Sequence, residues 1–333
     1  LLIDCPGFDD TGILGKLRVE KARQVLAEAD AAVLVVDAAL GLQAADRELL
    51  ELFRAQGIPF LIAMNKSDAV REATAPPQDD HPLFVSAKTG ENIALLKERL
   101  ARLTQSGEPK LRLVADLLHP GDFALLVTPI DKAAPKGRLI LPQQQVIRDI
   151  LEADAAAIVV KEFELRDTLA SLGKSPALVI TDSQVFAKVS ADVPPNVPLT
   201  SFSILFARYK GFLDAALQGV KALETLPAGA SVLIAEGCTH HRQCDDIGTV
   251  KLPRWIRNEL GKSFGFHFCS GVDFPEDLSP FALVIHCGGC MLNERTVRHR
   301  LRTAAAQGVP FTNYGIAIAW LQGILERSTR MLT

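Results

Sequence analysis

Phe60-Leu61-Ile62-Ala63-Met64-Asn65-Lys66-Ser67-Asp68 is an unbroken apolar run that stops abruptly at a polar loop. No polar residue alternates with the apolar ones, so both faces of the run need cover. That is the pattern of a parallel strand held between helices. Upstream, Val33-Leu34-Val35-Val36-Asp37 has the same character. Between the two, Leu49, Leu50, Leu52 and Phe53 recur at helical spacing within residues 45–56. Phe84-Val85-Ser86 reads as a third short strand, and residues 93–103 as the helix that closes the block. The first expected domain is therefore residues 1–104, with Gln105-Ser106-Gly107-Glu108-Pro109 as a linker.

The same alternation continues. Residues 105–226 offer strands at 124–127, 156–160 and 177–181, and a helix that starts near Pro142 with Val146, Ile147, Ile150 and Leu151 on one face. A long helix is expected from Phe206 to Leu223, before Pro227-Ala228-Gly229. This block holds no nucleophile–base pair and no phosphate loop, and its apolar surplus suits a dimer interface. Residues 227–333 offer strands at 231–237, 265–268, 282–285 and 310–313, and a helix from Asn293 to Gln307. The fold class expected is α/β, as three consecutive α/β domains with mainly parallel sheets.

The chain has 333 residues, 48% hydrophobic and 23% charged, with a formal net charge of −3. That length calls for more than one core, and the balance is that of a globular protein. The absence of a basic surplus, together with only 6% aromatic residues, disfavours a nucleic-acid partner. The stretch between Arg302 and Glu326 carries no charge, but Gly308, Pro310, Asn313 and Gly315 break it, so no membrane span is expected. No basic leader precedes Asp4, and a cytoplasmic location is expected. The first residue is not Met and falls inside an apolar strand, so a longer protein with an upstream segment is expected.

Two constellations carry chemistry. In the first, Asp4-Cys5-Pro6-Gly7 ends a strand in the D-x-x-G pattern, in which an aspartate reaches Mg²⁺ through water and the glycine N–H meets a phosphate oxygen. Asn65-Lys66-Ser67-Asp68 follows the second run. A carboxylate placed like that of Asp68 accepts from guanine N1–H and N2–H₂, which adenine does not offer. Asn65 would tie the loops together, the Lys66 stem would cover the base, and Ser86-Ala87-Lys88 would present a backbone N–H at Ala87 to guanine O6. Three loops at three strand ends meet in one crevice, where open parallel sheets bind ligands. Phe8 follows the D-x-x-G pattern, where a phenyl ring cannot orient water, so no catalytic residue is assigned.

In the second, Cys238-Thr239-His240 follows one expected strand and His286-Cys287-Gly288-Gly289-Cys290 another. If these strands are parallel neighbours, Cys238, Cys287 and Cys290 converge on one sheet edge. Three thiolates with one position left to His240, His286 or an exogenous group suit a [4Fe–4S] cluster. A structural Cys₃His zinc site uses the same donors. Cys5 and Cys269 read as core residues, and Cys244 stays unassigned.

The nucleotide loops resemble the G3, G4 and G5 elements of small GTPases of the Era/TrmE group, with the P-loop and switch I expected upstream. Together with the cysteine site, and with Asp131–Gln143 and Cys238–Trp255, they make the chain resemble the HydF family of [FeFe]-hydrogenase maturation GTPases. That resemblance implies a scaffold or carrier. It implies a [4Fe–4S] cluster on Cys238, Cys287 and Cys290, GTP with Mg²⁺ and K⁺ as ions, and a transient diiron precursor bearing CO and CN⁻. It also implies apo-[FeFe]-hydrogenase and two radical-SAM maturases as partners, and a dimer through the middle block. Two other classes stand beside it: a tRNA-modification or ribosome-associated GTPase with a zinc module, and a metal-binding adaptor with a vestigial nucleotide domain.

Overall fold

The computed structural model describes residues 3–5, 26, 29–70, 82–104, 112–130, 139–237, 246–271 and 273–332. The chain divides into two compact units, Leu1–Pro109 and Lys110–Thr333.

In the first unit, β1 (Ala32–Asp37), α1 (Ala44–Ala55), β2 (Phe60–Asn65), β3 (Leu83–Phe84) and α2 (Ile93–Thr104) follow one another. The strands pair in parallel in the order β1-β2-β3. Both faces are covered at β2, as its continuous apolar run requires, whereas Val35 of β1 is exposed. Leu50 and Phe53 of α1 pack with Leu34, Val36, Ile62 and Met64, while Ile93 and Leu96 of α2 pack with Ala63, Leu83 and Val85. Ile3, Asp4 and Cys5 have no regular structure. The linker at 105–109 lies outside the described residues.

The second unit runs through β4 (Phe123–Val127), α3 (Leu141–Glu152), β5 (Ala156–Val160), α4 (Leu165–Ser171), β6 (Leu178–Thr181), α5 (Phe186–Asp192), β7 (Leu199–Ser201), α6 (Phe202–Tyr209), α7 (Leu213–Gly219) and α8 (Ala222–Thr225). It continues through β8 (Ser231–Glu236), α9 (Leu252–Leu260), β9 (Gly265–Ser270), β10 (Leu283–His286), α10 (Glu294–Ala306), β11 (Phe311–Asn313), α11 (Tyr314–Leu321) and α12 (Leu325–Thr329). Two four-stranded parallel sheets result, ordered β5-β4-β6-β7 and β11-β10-β8-β9. The expected α/β class with three parallel sheets is what the chain adopts.

The period-2 alternation of β4 divides its side chains between two cores. Ala124 and Leu126 join Val146, Ile150, Leu205 and Phe206. Leu125 and Val127 join a larger cluster that also holds Val232, Leu233 and Ile234 of β8, Val284 and Ile285 of β10, and Phe311 of β11. One apolar interior therefore serves both sheets, and each fully buried Leu, Ile or Phe in it contributes about 1.5–3 kcal/mol of transfer free energy.

The long helix expected over 206–223 is instead three short helices, α6 to α8. Gly211 takes φ +72, a left-handed turn that ends the first, and Gly219 ends the second. A Cβ at Gly219 would come within 3.0 Å of the Phe311 backbone, closer than real Cβ atoms approach. The chain is bent so that α7 can lie directly on β11.

Candidate functional site

In the first unit, the loops after β1, β2 and β3 leave the same sheet edge, because parallel pairing sets Asp37 opposite Asn65. Asn65 Oδ1 accepts the Ala87 N–H at 3.0 Å, and Ser86 Oγ donates to Asp68 Oδ1 at 2.6 Å. Ser67 N donates to Val85 O at 3.1 Å, and Ser67 Oγ to Glu91 Oε2 at 3.0 Å. The polar loop that follows β2 is thereby stitched to the one that follows β3. One Asp68 oxygen is held by Ser86, which fixes the direction of the carboxylate. The Ala87 N–H belongs to Asn65 here, so a guanine O6 must share it or displace it.

Lys66 sits in the left-handed region at φ 65 and donates its ammonium to Asp37 Oδ2 at 2.7 Å. This hydrogen bond first, then the Ala39 N–H, holds the Asp37 carboxyl below its ordinary pKa. Asp37 was not among the residues picked from sequence, although its place at the end of an apolar strand is the signal that finds it. Asp4 is exposed, and the Cys5 thiol is pushed up by partial burial and then by Asp4. Gly7 lies outside the described residues.

In the second unit, β8 and β10 are parallel neighbours, with Ala235 opposite His286 and Cys287 N donating to Ala235 O at 2.8 Å. Both following loops start from one edge. Cys287 Sγ accepts two backbone N–H groups, from Gly237 at 3.0 Å and Gly289 at 3.3 Å. Such bonds stabilise a thiolate over a thiol. Gly237 precedes Cys238 in the chain; Cys238, His240 and Cys244 lie outside the described residues. The glycines are needed for this close wrap. A Cβ at Gly237 would press on Leu292, and Gly289 takes φ +63 with Val297 beside it. Cys290 packs at the margin of the core formed with α3 and α6, and Cys269 against the core that joins the two sheets.

His286 is fully buried, stacked on Phe311 with centroids 5.6 Å apart. Its Nδ1 lies 2.7 Å from Cys287 O and its Nε2 3.0 Å from Arg300 Nη1. Since arginine only donates, Nε2 accepts and Nδ1–H donates, which fixes the neutral tautomer. Burial, then the Arg300 charge, pull its pKa down to about 3. Both ring nitrogens are thus engaged. Arg300 itself donates to Gly271 O and stacks over Phe274.

Three further residues escape sequence reading. Tyr314 Oη donates to the buried Glu236 Oε1 at 3.1 Å, and burial, then Glu236, hold the phenol well above its ordinary pKa. Gly248, in a π-turn over Ile247–Lys251, lies against this pair with no room for a Cβ. Lys210, at the end of α6, is buried and donates to Gly289 O and Leu292 O. Tyr314 and Lys210 belong to no motif read from the sequence, and Gly248 falls within the Cys238–Trp255 stretch without being singled out there. Among the described residues no group of three or more His, Cys, Asp and Glu gathers as a metal site.

The Hydrogen maturase F dimerization domain matches residues 113–211, and the Hydrogen maturase F tetramerization domain matches residues 214–331. The chain belongs to the hydrogen maturase F family. Its remaining part, residues 1–106, matches the Elongation factor Tu GTP binding domain. This hydrogen maturase F chain is also similar over about a third of its length to curated GTPases. It is 32% identical over 117 residues to GTPase Der of Leptothrix cholodnii, covering 33% of this chain and 26% of that protein. It is 37% identical over 101 residues to GTPase Der of a Synechococcus, covering 28% and 22%. To the tRNA modification GTPase MnmE of Lactococcus lactis it is 31% identical over 108 residues, covering 32% and 23%. The hydrogen maturase F chain thus spans about a quarter of the length of these relatives. Among the described residues no helix is long and apolar enough to cross a membrane.

Proposed function

We propose that this chain acts as a hydrogenase-maturation GTPase and scaffold, with GTP bound in the first unit and a [4Fe–4S] cluster in the second. The observation that carries the reading is the shared edge of β8 and β10, where the Gly237 N–H meets Cys287 Sγ one residue before Cys238. Cys238, Cys287 and Cys290 would hold the cluster. The donor set fits: a sulfur that accepts two N–H bonds, glycines that let the loop wrap closely against Leu292, Ser203 and Val297, and Lys210 bonded to the backbone on either side of Cys290. His286 has both ring nitrogens engaged, which leaves the fourth iron position to His240 or an exogenous group. When bound, a three-cysteine cluster supplies one iron open to a further ligand such as cyanide. The cargo is a diiron precursor bearing CO and CN⁻, made with radical-SAM maturases and delivered to apo-[FeFe]-hydrogenase.

On the nucleotide side, Asp68 selects guanine, Asn65, Ser86, Ala87 and Lys88 hold the base loops, Lys66 covers the base, and Asp4 and Gly7 face Mg²⁺ and the γ-phosphate. GTP hydrolysis, which also needs a phosphate-binding P-loop and is assisted by K⁺, gates partner exchange. The chain self-associates through its second unit, to which both matched self-association domains belong. The likeness to the tRNA modification GTPase covers only 32% of this chain, while both hydrogen maturase F matches fall in the second unit, so the chemistry of the second unit decides between the readings. Anaerobic reconstitution with iron and sulfide tests it. About four irons per chain, with the cluster signal lost in Cys287→Ala, are expected. Tightly held zinc without iron would sink the proposal.

A further inference from the structure

Lys210 is 4% exposed, yet its ammonium ends beneath the Cys287–Leu292 loop. It donates there to two neutral carbonyls, Gly289 O and Leu292 O, which lie on either side of Cys290 in the chain. The residue is delivered from another part of the fold. It caps α6, with its own N–H bonded to Phe206 O at 3.0 Å, and Gly211 then turns the chain away at φ +72. Its ring neighbour is Phe206, with the ammonium 5.8 Å from the centroid. Lys210 lies in the segment matched to the dimerization domain, and both its acceptors in the segment matched to the tetramerization domain. Burying a cation among neutral acceptors is costly, and such a group is normally retained where a negative charge answers it. Burial pulls the Lys210 ammonium below its ordinary pKa, and the acidic groups that oppose this are Cys290, Cys287 and Glu294, in that order.

We propose that Lys210 is a positioning residue for the proposed cluster site: it clamps the backbone between the two sulfurs and sets a fixed positive charge beneath them. The inference rests on the cluster reading. Thiolates on iron stay negative, and one-electron reduction adds a further negative charge. A cation held at this depth favours the reduced form, since little water screens it. Removing it lowers the reduction potential and frees the loop.

The test compares Lys210→Met, which keeps the stem and loses the charge, with Lys210→Arg, which keeps the charge and changes the shape. In the metal-free chain, amide hydrogen exchange at residues 288–292 is expected to rise at least tenfold in Lys210→Met. After anaerobic reconstitution, its midpoint potential, followed by EPR, is expected to fall by the equivalent of a tenfold change in equilibrium constant, about 59 mV for one electron. Lys210→Arg is expected to stay within twofold of the unmodified chain. If Lys210→Met moves neither quantity, or moves exchange alone, the inference is overturned. Should Lys210→Met fail to fold, Lys210→Arg decides: a potential held at the wild-type value supports the charge role, and a tenfold fall overturns it. Unmodified protein that takes up no iron defeats the cluster reading itself, whereas four irons with an unmoved potential in the variant defeat only the role given to Lys210.

Discussion

Asp68 and His286 show how far one side chain can be read once its neighbours are known. Asp68 presents a carboxylate whose Oδ1 is already held by Ser86 Oγ at 2.6 Å, so little freedom is lost when a base arrives. Asp68→Asn is expected to weaken GTP binding by tenfold or more, because two hydrogen bonds to a charged acceptor are worth about 1.5–3 kcal/mol each. The same variant gains xanthosine triphosphate, whose C2 carbonyl accepts the new amide; isothermal titration with both nucleotides checks this. His286 gives a pH signature. Its folded pKa of about 3 lies below the unfolded 6.5, so below pH 6.5 the unfolded chain takes up a proton that the folded chain refuses. Stability is full above that value and falls toward pH 3, by at most about 1.4 kcal/mol per pH unit. The groups that act on the ring are Arg300 from α10, Lys210 from the end of α6 and the Cys287 carbonyl beside it. Urea midpoints of the metal-free chain between pH 7 and 4 are expected to drop more steeply than those of His286→Gln.

At the scale of elements, the parallel strands were legible because a run such as Leu283–His286, buried on both faces, leaves a continuous apolar signature. β7 was not legible. Two of its three residues are Thr200 and Ser201, and the Ser201 hydroxyl is occupied by Ile204 N at 3.3 Å and Ser183 Oγ at 3.2 Å. A polar residue satisfied as Ser201 is carries no hydrophobic pattern. The helical reading across 206–223 failed for another reason. Periodicity tolerates a glycine, while the tertiary crossing of α7 on β11 demands one. Gly219→Ala is therefore expected to cost about 3 kcal/mol or more, since the obstacle is Phe311 backbone and not a movable side chain. A fall in urea midpoint with no change in secondary-structure content before the transition checks it. For the cysteine loop, residue types and spacing revealed the donors. The supports Lys210, Glu236 and Tyr314 come from distant segments, and no local pattern marks them.

At the scale of the molecule, the chain divides into two compact units. Lys110–Thr333 has its own interior, with Leu125, Val179, Ile234, Ile285 and Ile316 among residues wholly removed from solvent. Expressed alone it is expected to fold and to self-associate, because both matched self-association domains fall inside it. Light scattering that finds only monomer would refute this. The common interior of its two sheets also constrains how relatives can be recombined. The short gap between the two matched segments, residues 212 and 213, looks like a convenient splice point, yet Phe212 on one side rests edge-on against Phe311 on the other. A graft cut there would marry two faces shaped by different histories. Hybrids that exchange the whole of 110–333 as one block keep that fit, and those that divide it inherit a mismatched seam.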